Sequence, residues 1–360
     1  MNSGLEDVVA AETVLSDVDG NAGRLIIRGI SLDDLVAHSR YEDVLALLLD
    51  GFFPAMPSLP EALGAARVAV FKHLASVDAG LLALSPIEAI RALMARLPDG
   101  DDLATALQLV AAPAVFTPGI IRLRAGLAPI EPSATAGHAA DVLAMMLGKP
   151  PTLQQTAALD RYLVTVADHG LNASTFAARV VASTQAGLAS AVLAGLSALK
   201  GPLHGGAPGP VLDMLDAAGT PANAALWIDD ALARDERLMG FGHRVYRVRD
   251  PRADALKGAV ELLAASGAID PARLALAEAV ESAALAALRR KKPDRRLDTN
   301  VEFYTALLLE SLGFPRETFT CVFAMGRTGG WVAHAREQVL GGRLIRPMSK
   351  YVGPRPQQAA

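Results

Sequence analysis

The sequence has little of what marks several large classes of protein. Its 360 residues include a single cysteine, Cys321, and only 5% of them are aromatic. One cysteine makes no disulfide within the chain, so a disulfide scaffold and a metal site of several cysteines are both excluded. A net charge of −4 gives no support to a surface built throughout for nucleic acid. We therefore expect a protein of a reducing compartment, the cytoplasm, folded around an ordinary hydrophobic core.

Several nucleotide, hydrolase and export signals are also missing. The chain has no P-loop, no Gly-x-Gly-x-x-Gly after a strand and no Gly-x-Ser-x-Gly elbow. Its N-terminus has no basic region followed by an apolar one, so we expect no secretory signal. The uncharged apolar stretch 186–199 is shorter than the roughly 20 residues of a membrane span. These absences favour an enzyme that works away from the membrane.

What the sequence has in excess is helix-forming aliphatic residues, since 51% of it is hydrophobic and alanine and leucine dominate. Short β-prone runs at 12–16 and 24–28 flank a turn at 17–23 and predict one hairpin. The fold class is therefore mainly α, and a length of 360 residues suggests about two domains. Apolar spacing predicts helices at 31–36, 41–49, 59–75, 86–97, 103–115, 136–147, 153–167, 174–199, 211–215, 221–233, 251–266, 271–290, 301–312 and 316–338.

Three of the seven histidines lie in glycine-rich segments. His169 precedes Gly170, His204 lies in GPLHGGA (201–207) and His243 lies in MGFGHRVY (239–246). Glycine neighbours allow a ligand to approach closely, and histidine suits proton transfer near neutral pH. We expect the other four, His38, His73, His138 and His334, to be structural or surface residues.

A metal site is the main alternative for these three histidines. They are separated by 35 and 39 residues, and no His-x-x-x-His or His-Glu-x-x-His pair presets a ligand geometry. We therefore expect no metal.

Arginines and one carboxylate complete the candidate site. Arg252, Arg327 and Arg346 lie near glycine- or proline-containing turns, and Glu302 begins a predicted helix. Each arginine could instead form a surface ion pair, and Glu302 could serve only the helix dipole. Together with the histidines, they fit a small polycarboxylate and a phosphate-bearing partner better. The basic run 289–296 is interpreted as a solvated helix C-terminus, with help to a polyanionic ligand as the alternative.

Several segments in series resemble the citrate synthase family, especially the shorter bacterial citrate synthases and 2-methylcitrate synthases. They are GPLHGGA (201–207), GFGHRVY (240–246) followed by DPR (250–252), NVEFY (300–304) and FTCVFAMGRTGGWVAH (319–334). The resemblance covers nearly the whole chain in order.

The resemblance implies a mainly α-helical homodimer with its active site in a cleft. A large domain would comprise residues 1–205 and 309–360, and a small domain residues 206–308. The reaction would join acetyl-CoA to oxaloacetate and hydrolyse citryl-CoA to citrate and CoA. The family uses no metal and no tightly bound cofactor, and no nucleic acid or membrane partner is implied.

The resemblance also assigns roles to residues. Glu302 would take a proton from the acetyl methyl group, His204 would donate a hydrogen bond to the thioester oxygen, and His243 would polarise the ketone. The oxaloacetate carboxylates would be held by His169, Arg252 and Arg327, with Arg346 supplied by the partner subunit. CoA would contact Arg247 and the loop of Met239, Gly240, Phe241 and Gly242.

One residue departs from the most familiar family pattern, which is Asn-Val-Asp. Glu302 keeps the carboxylate but extends its reach by about 1.5 Å. We expect the local backbone to compensate, because the neighbouring residues match the family. The alternatives to compensation are a slow enzyme or an enzyme that serves another acyl-CoA. For the function as a whole, the alternatives are a 2-methylcitrate synthase that uses propionyl-CoA and an inactive homologue that acts as a helical binding protein.

Overall fold

The fold is seen in a computed structural model that describes residues 5, 8–205, 208–243, 245–246, 248–293 and 297–354. The N-terminal hairpin is present but shifted along the sequence. Its strands β1 (Ser16–Asp19) and β2 (Arg24–Ile27) pair antiparallel, and β3 (Ile30–Ser31) extends the sheet. The first strand begins where the prediction ended, because buried Leu25 and Ile27 set the register of the pair.

Helices make up most of the rest, so the mainly α fold class is confirmed. The described part of the chain contains sixteen α-helices: α1 (Leu32–His38), α2 (Tyr41–Leu49), α3 (Leu59–Phe71), α4 (Ala79–Ala83), α5 (Pro86–Met94), α6 (Leu103–Arg124), α7 (His138–Leu147), α8 (Leu153–Val166), α9 (Ala173–Ala182), α10 (Leu188–Leu199), α11 (Pro208–Ala218), α12 (Ala224–Ala233), α13 (Pro251–Ala265), α14 (Pro271–Lys291), α15 (Val301–Ser311) and α16 (Phe319–Gly341).

The longest apolar helix, α6, extends beyond its predicted end. The apolar spacing predicts an end at Val115, yet the helix contains Pro113 and continues past Pro118 to Arg124. By length and composition it could cross a membrane, but 78% of its apolar window is buried inside the protein. Burial on nearly all sides explains why the middle of this helix has no polar face.

The predicted helix 174–199 is instead two helices. The chain leaves α9 after Ala182, and Gly187 adopts a φ of +95° before α10 begins. Asp99 holds this start, because its carboxylate accepts the backbone N–H groups of Ala189 and Ser190. Periodicity alone could not reveal a break whose cause is a carboxylate ninety residues away.

Four helices position the site described below. Helix α16 packs against α6, α8, α9 and α10, while α13 packs against α8 and α15. The ends of α8, α13 and α15 therefore meet beside the middle of α16. The predicted division at residue 206 falls outside the described residues, and the two-domain organisation stays a prediction.

Candidate active site

The loop before α13 places His243 next to the start of α15. Gly240 and Gly242 have φ values of +85° and +79°, which favour glycine. The N–H of Gly242 donates to the carbonyl of Asp298 at 2.8 Å, and that of Asn300 donates to the carbonyl of Gly240 at 2.9 Å. The predicted CoA loop, Met239 to Gly242, is thereby joined to the segment that leads into Glu302.

The imidazole of His243 is held in one tautomer. Its Nδ1 atom accepts the backbone N–H groups of Val245 at 3.0 Å and Tyr246 at 3.1 Å. Burial, and then the charge of Arg252, lower the pKa of His243 to about 4. A neutral ring whose Nδ1 accepts carries its proton on Nε2, which makes His243 a hydrogen-bond donor towards a ligand.

Arg252 is fixed at the beginning of α13 by Asp250. Nε donates to one oxygen of Asp250 at 3.0 Å and Nη2 donates to the other at 2.8 Å. The same carboxylate caps α13 and accepts the N–H of Val301 at 3.3 Å. One buried aspartate therefore ties the starts of α13 and α15 together.

Glu302 is the second residue of α15, whose N-cap is Asn300. The side-chain oxygen of Asn300 accepts the Glu302 N–H at 3.0 Å, so the backbone position of the carboxylate is fixed. Burial raises the pKa of Glu302 to about 7, with Asp250 adding to the rise while Arg252 and Arg327 oppose it. The group therefore exchanges a proton near neutral pH, as a general base must.

His169 follows α8 and faces His243. The two ring centroids are 5.8 Å apart, and Tyr246 lies against both rings. The Tyr246 hydroxyl lies 3.1 Å from Nε2 of His169. Burial, together with Arg252 and Arg327, holds the pKa of His169 well below its usual value. The ring is therefore neutral at physiological pH.

Arg327 projects from α16 at a point where that helix lies very close to the end of α8. A side chain at Gly330 would come within 2.9 Å of the Asp168 carboxylate, and one at Gly326 within 3.1 Å of the Leu163 carbonyl. This contact allows Nε of Arg327 to donate to the Val166 carbonyl at 2.6 Å.

The guanidinium of Arg327 is almost fully buried, with 1% exposed. Burial lowers its pKa to about 10, so it stays charged at neutral pH. Among the described residues, its Nη2 atom has no hydrogen-bond partner. A buried cation with an unpaired donor is costly to the fold unless it serves an anion.

His204 occupies the turn after α10. Its Nε2 atom lies 2.8 Å from the Ser174 hydroxyl, which also accepts Nε1–H of Trp331 at 3.1 Å. The contact through Ser174 links His204 to α9 and to α16, the helix that carries Arg327.

The structure thus brings together His169, His243, Arg252, Glu302 and Arg327. Arg346 lies apart from them, exposed in the extended segment after α16. Arg247 lies outside the described residues, and no metal-binding group of three or more His, Cys, Asp or Glu residues occurs in the described part of the chain.

The four histidines assigned structural roles lie elsewhere or behind the site. His138 is fully buried beside Arg67, and His38 is exposed at the end of α1. His73 is half-buried beside Phe116. His334 is fully buried, with Nε2 3.2 Å from Asp168 and Nδ1 3.0 Å from Arg179. It contacts the carboxylate that precedes His169 rather than the cleft.

Sequence reasoning missed Tyr246, Asp250 and Ser174 as site residues. Tyr246 and Asp250 lie inside the segments that signalled the site, three and seven residues after His243. Their proximity to histidine and arginine was visible, but only the structure shows which atoms they contact.

Comparison with known proteins identifies the family of the chain. The family model described as "Citrate synthase, C-terminal domain" matches residues 4–348. The chain belongs to the citrate synthase family. It is an acyltransferase of that family, and the family resemblance inferred from the sequence is confirmed.

The similarity to individual family members extends over nearly the full length of both chains. Citrate synthase of Haloferax volcanii is 36% identical over 98% of this chain and 96% of its own length. A 2-methylcitrate synthase of Mycobacterium tuberculosis is also 36% identical, over 98% of this chain and 91% of its own.

A solved structure supports the fold as well. Citrate synthase of Thermoplasma acidophilum, in a ternary complex with carboxymethyl coenzyme A and oxaloacetate, is 28% identical. It superposes with a TM-score of 0.86 over 100% of this chain and 98% of that one. Membership of the family supports a condensation reaction but leaves the acyl substrate open, because relatives of both names match at equal identity.

Proposed function

We propose that the protein condenses acetyl-CoA with oxaloacetate and hydrolyses the resulting citryl-CoA to citrate and CoA. The observation that carries this proposal is the half-buried carboxyl of Glu302, whose pKa is raised to about 7 and which lies near the two buried guanidinium groups of Arg252 and Arg327. Such a carboxylate can remove a weakly acidic proton, and such cations can hold a dicarboxylate.

Glu302 takes a proton from the acetyl methyl group. Negative charge then develops on the thioester oxygen, and His204 donates a hydrogen bond to it. The methyl carbon, now nucleophilic, attacks the ketone carbon of oxaloacetate. His243, whose proton is on Nε2, polarises that ketone and supplies the proton that the new alkoxide needs.

The carboxylates of oxaloacetate are held by Arg252, Arg327 and His169. The unpaired Nη2 donor of Arg327 supports this role most directly. Water then attacks the thioester carbonyl of citryl-CoA, and CoA leaves as the thiol. Closure of the cleft before condensation would protect acetyl-CoA from early hydrolysis.

The binding of CoA and the assembly are part of the same proposal. The loop of Met239 to Gly242 would face the adenine, and Arg247 would contact a CoA phosphate. Arg346, exposed in an extended segment of this chain, would reach the active site of a second copy in a homodimer.

The second candidate function is that of a 2-methylcitrate synthase. It is supported by the Mycobacterium tuberculosis relative of that name. One methyl group in an apolar pocket is worth only about 1–3 kcal/mol, so the two acyl-CoA substrates can share one site.

Release of free thiol from acetyl-CoA and from propionyl-CoA, each with oxaloacetate, tests both candidates. We expect kcat/KM for acetyl-CoA to be at least about tenfold higher. A preference for propionyl-CoA would assign the second function, and no thiol release from either would overturn both.

A further inference from the structure

The turn of the N-terminal hairpin lies directly against the loop that carries His243. A side chain at Gly20 would come within 2.8 Å of the carbonyl carbon of Val245. One at Gly23 would come within 2.7 Å of the Val248 side chain and 3.1 Å of the Arg249 carbonyl. At these two positions the space left beside the His243 loop is too small for a methyl group.

The strand that precedes this turn contacts the second histidine loop. The Ser16 hydroxyl donates to Asp168 and accepts the N–H of Gly170 at 2.9 Å. These two residues flank His169. One side of the hairpin therefore holds the loop of His169, and its turn holds the loop of His243.

The contact at Gly20 reaches the imidazole through one residue. Val245 presents its carbonyl to Gly20 and donates its N–H to Nδ1 of His243 at 3.0 Å. A shift of Val245 would therefore change the hydrogen bond that fixes the tautomer of His243.

The turn itself is built to keep its shape. One oxygen of Asp19 accepts the N–H groups of Asn21 at 3.0 Å and Ala22 at 2.9 Å. Gly23 adopts a φ of +64°, which favours glycine. A rigid turn transmits a displacement instead of absorbing it.

We propose that the β1–β2 hairpin is a positioning element for the active site, in which Ser16 sets the loop of His169 and Gly20 sets the tautomer and place of His243. This inference deepens the proposed function and rests on it for its catalytic meaning. Ser16 and Gly20 act through the loops of His169 and His243 and do not touch the reacting atoms, so both are positioning residues.

The decisive variant is Gly20→Ala, with Asn21→Ala as its matched control. Both substitutions place an alanine in the same turn. The methyl group at position 20 meets the Val245 carbonyl, whereas the side chain at position 21 is exposed. We expect Gly20→Ala to lower kcat/KM for oxaloacetate about a hundredfold, since a displacement near 1 Å at a reacting group has that effect. Its melting temperature should stay close to that of the parent, and Asn21→Ala should keep parental kinetics.

A spectroscopic readout separates this inference from the proposed function. Nitrogen NMR of the His243 ring in the ligand-free protein reports which nitrogen carries the proton. We expect Nδ1 to be unprotonated in the parent and in Asn21→Ala. In Gly20→Ala we expect a mixture of the two neutral tautomers, with the proton on Nδ1 in some molecules and on Nε2 in others. An unchanged tautomer would overturn the inference even if the reaction were confirmed, and a change would support it even if the protein condensed no acyl-CoA.

Ser16→Ala tests the other contact and serves if Gly20→Ala does not fold. It removes the hydroxyl that joins Asp168 to Gly170 and adds no bulk. We expect oxaloacetate affinity to fall about tenfold, as for the loss of a hydrogen bond to a charged group. Parental affinity in a folded Ser16→Ala protein would contradict the positioning role of the hairpin.

Discussion

Nη2 of Arg252 lies 3.0 Å from Nε2 of His243. Because Nδ1 of His243 accepts two backbone N–H groups, Nε2 carries the ring proton, and both facing atoms are donors. An oxygen atom that accepts hydrogen bonds from both Arg252 Nη2 and His243 Nε2 would relieve the unfavourable contact between these two donors. The ketone or carboxylate oxygens of oxaloacetate provide such an acceptor, and the pair therefore favours an oxygen-rich anion over other ligands.

Glu302→Gln should abolish turnover and leave oxaloacetate binding intact, because the amide cannot accept the methyl proton. Thiol release and calorimetry measure the two effects, with Glu278→Gln on the exposed surface of α14 as the control. Near-parental turnover in Glu302→Gln would remove Glu302 from the role of base.

The same substitution should raise stability at alkaline pH. In the folded protein the pKa of Glu302, about 7, lies above its ordinary value of 4.5. The protein therefore loses stability as the pH rises from about 4.5 to about 7, and glutamine at this position removes that loss. The full shift corresponds to about 3 kcal/mol, and partial exposure to the cleft reduces it to about 1–2 kcal/mol. Thermal unfolding at pH 8 and pH 4.5 checks this; an equal change at both values would contradict it.

Glu302→Asp should impair the enzyme although it restores the more familiar family residue. We expect the backbone of this chain to be fitted to the longer side chain, so the shorter aspartate would withdraw the carboxylate by about 1.5 Å. We expect kcat to fall about a hundredfold with little change in KM for oxaloacetate. Parental kcat would show that the site tolerates either length and that no compensation exists.

The pH profile of kcat/KM for acyl-CoA should show one limb near pH 7. Only ionised Glu302 can act as a base, so at pH 6 activity should be about tenfold lower than its plateau. His243, with a pKa of about 4, stays neutral over this range and adds no second limb. A limb near pH 4.5 would mean that burial does not perturb Glu302.

Arg327→Met should weaken oxaloacetate binding by at least about thirtyfold, the usual cost of removing one member of a buried charge pair. Stability without ligand should change little, because the lost Val166 hydrogen bond is offset by removal of the unpaired Nη2 donor. Calorimetry and thermal unfolding measure both. Arg336→Met, on the same helix but bonded to the Phe52 carbonyl, is the control and should bind normally.

Tyr246→Phe should reduce oxaloacetate affinity about fivefold, the effect of one neutral hydrogen bond. The hydroxyl orients His169 through its Nε2 atom, and the ring packing is kept in phenylalanine. Tyr351→Phe, at an exposed position, should have no effect. Tighter binding in Tyr246→Phe would show that the hydroxyl competes with the substrate for His169.

The sequence by itself predicted the mainly α class, the hairpin and the histidines and arginines of the site. Those predictions rest on local signals: apolar spacing marks helices, and glycines beside histidines mark ligand loops. The same signals misplaced the end of α6 and merged α9 with α10, because burial on nearly every side and the distant Asp99 are not local.

Only the tertiary structure decided the chemistry of each group. The pKa of Glu302 depends on burial and on Arg252, fifty residues away, and the tautomer of His243 depends on backbone N–H groups that the loop turns towards it. The single cysteine excluded a disulfide scaffold and a metal site of several cysteines, whatever the fold. No sequence pattern predicted the role proposed for the hairpin. That role depends on a contact between the backbones of Gly20 and Val245, which are 225 residues apart in the chain.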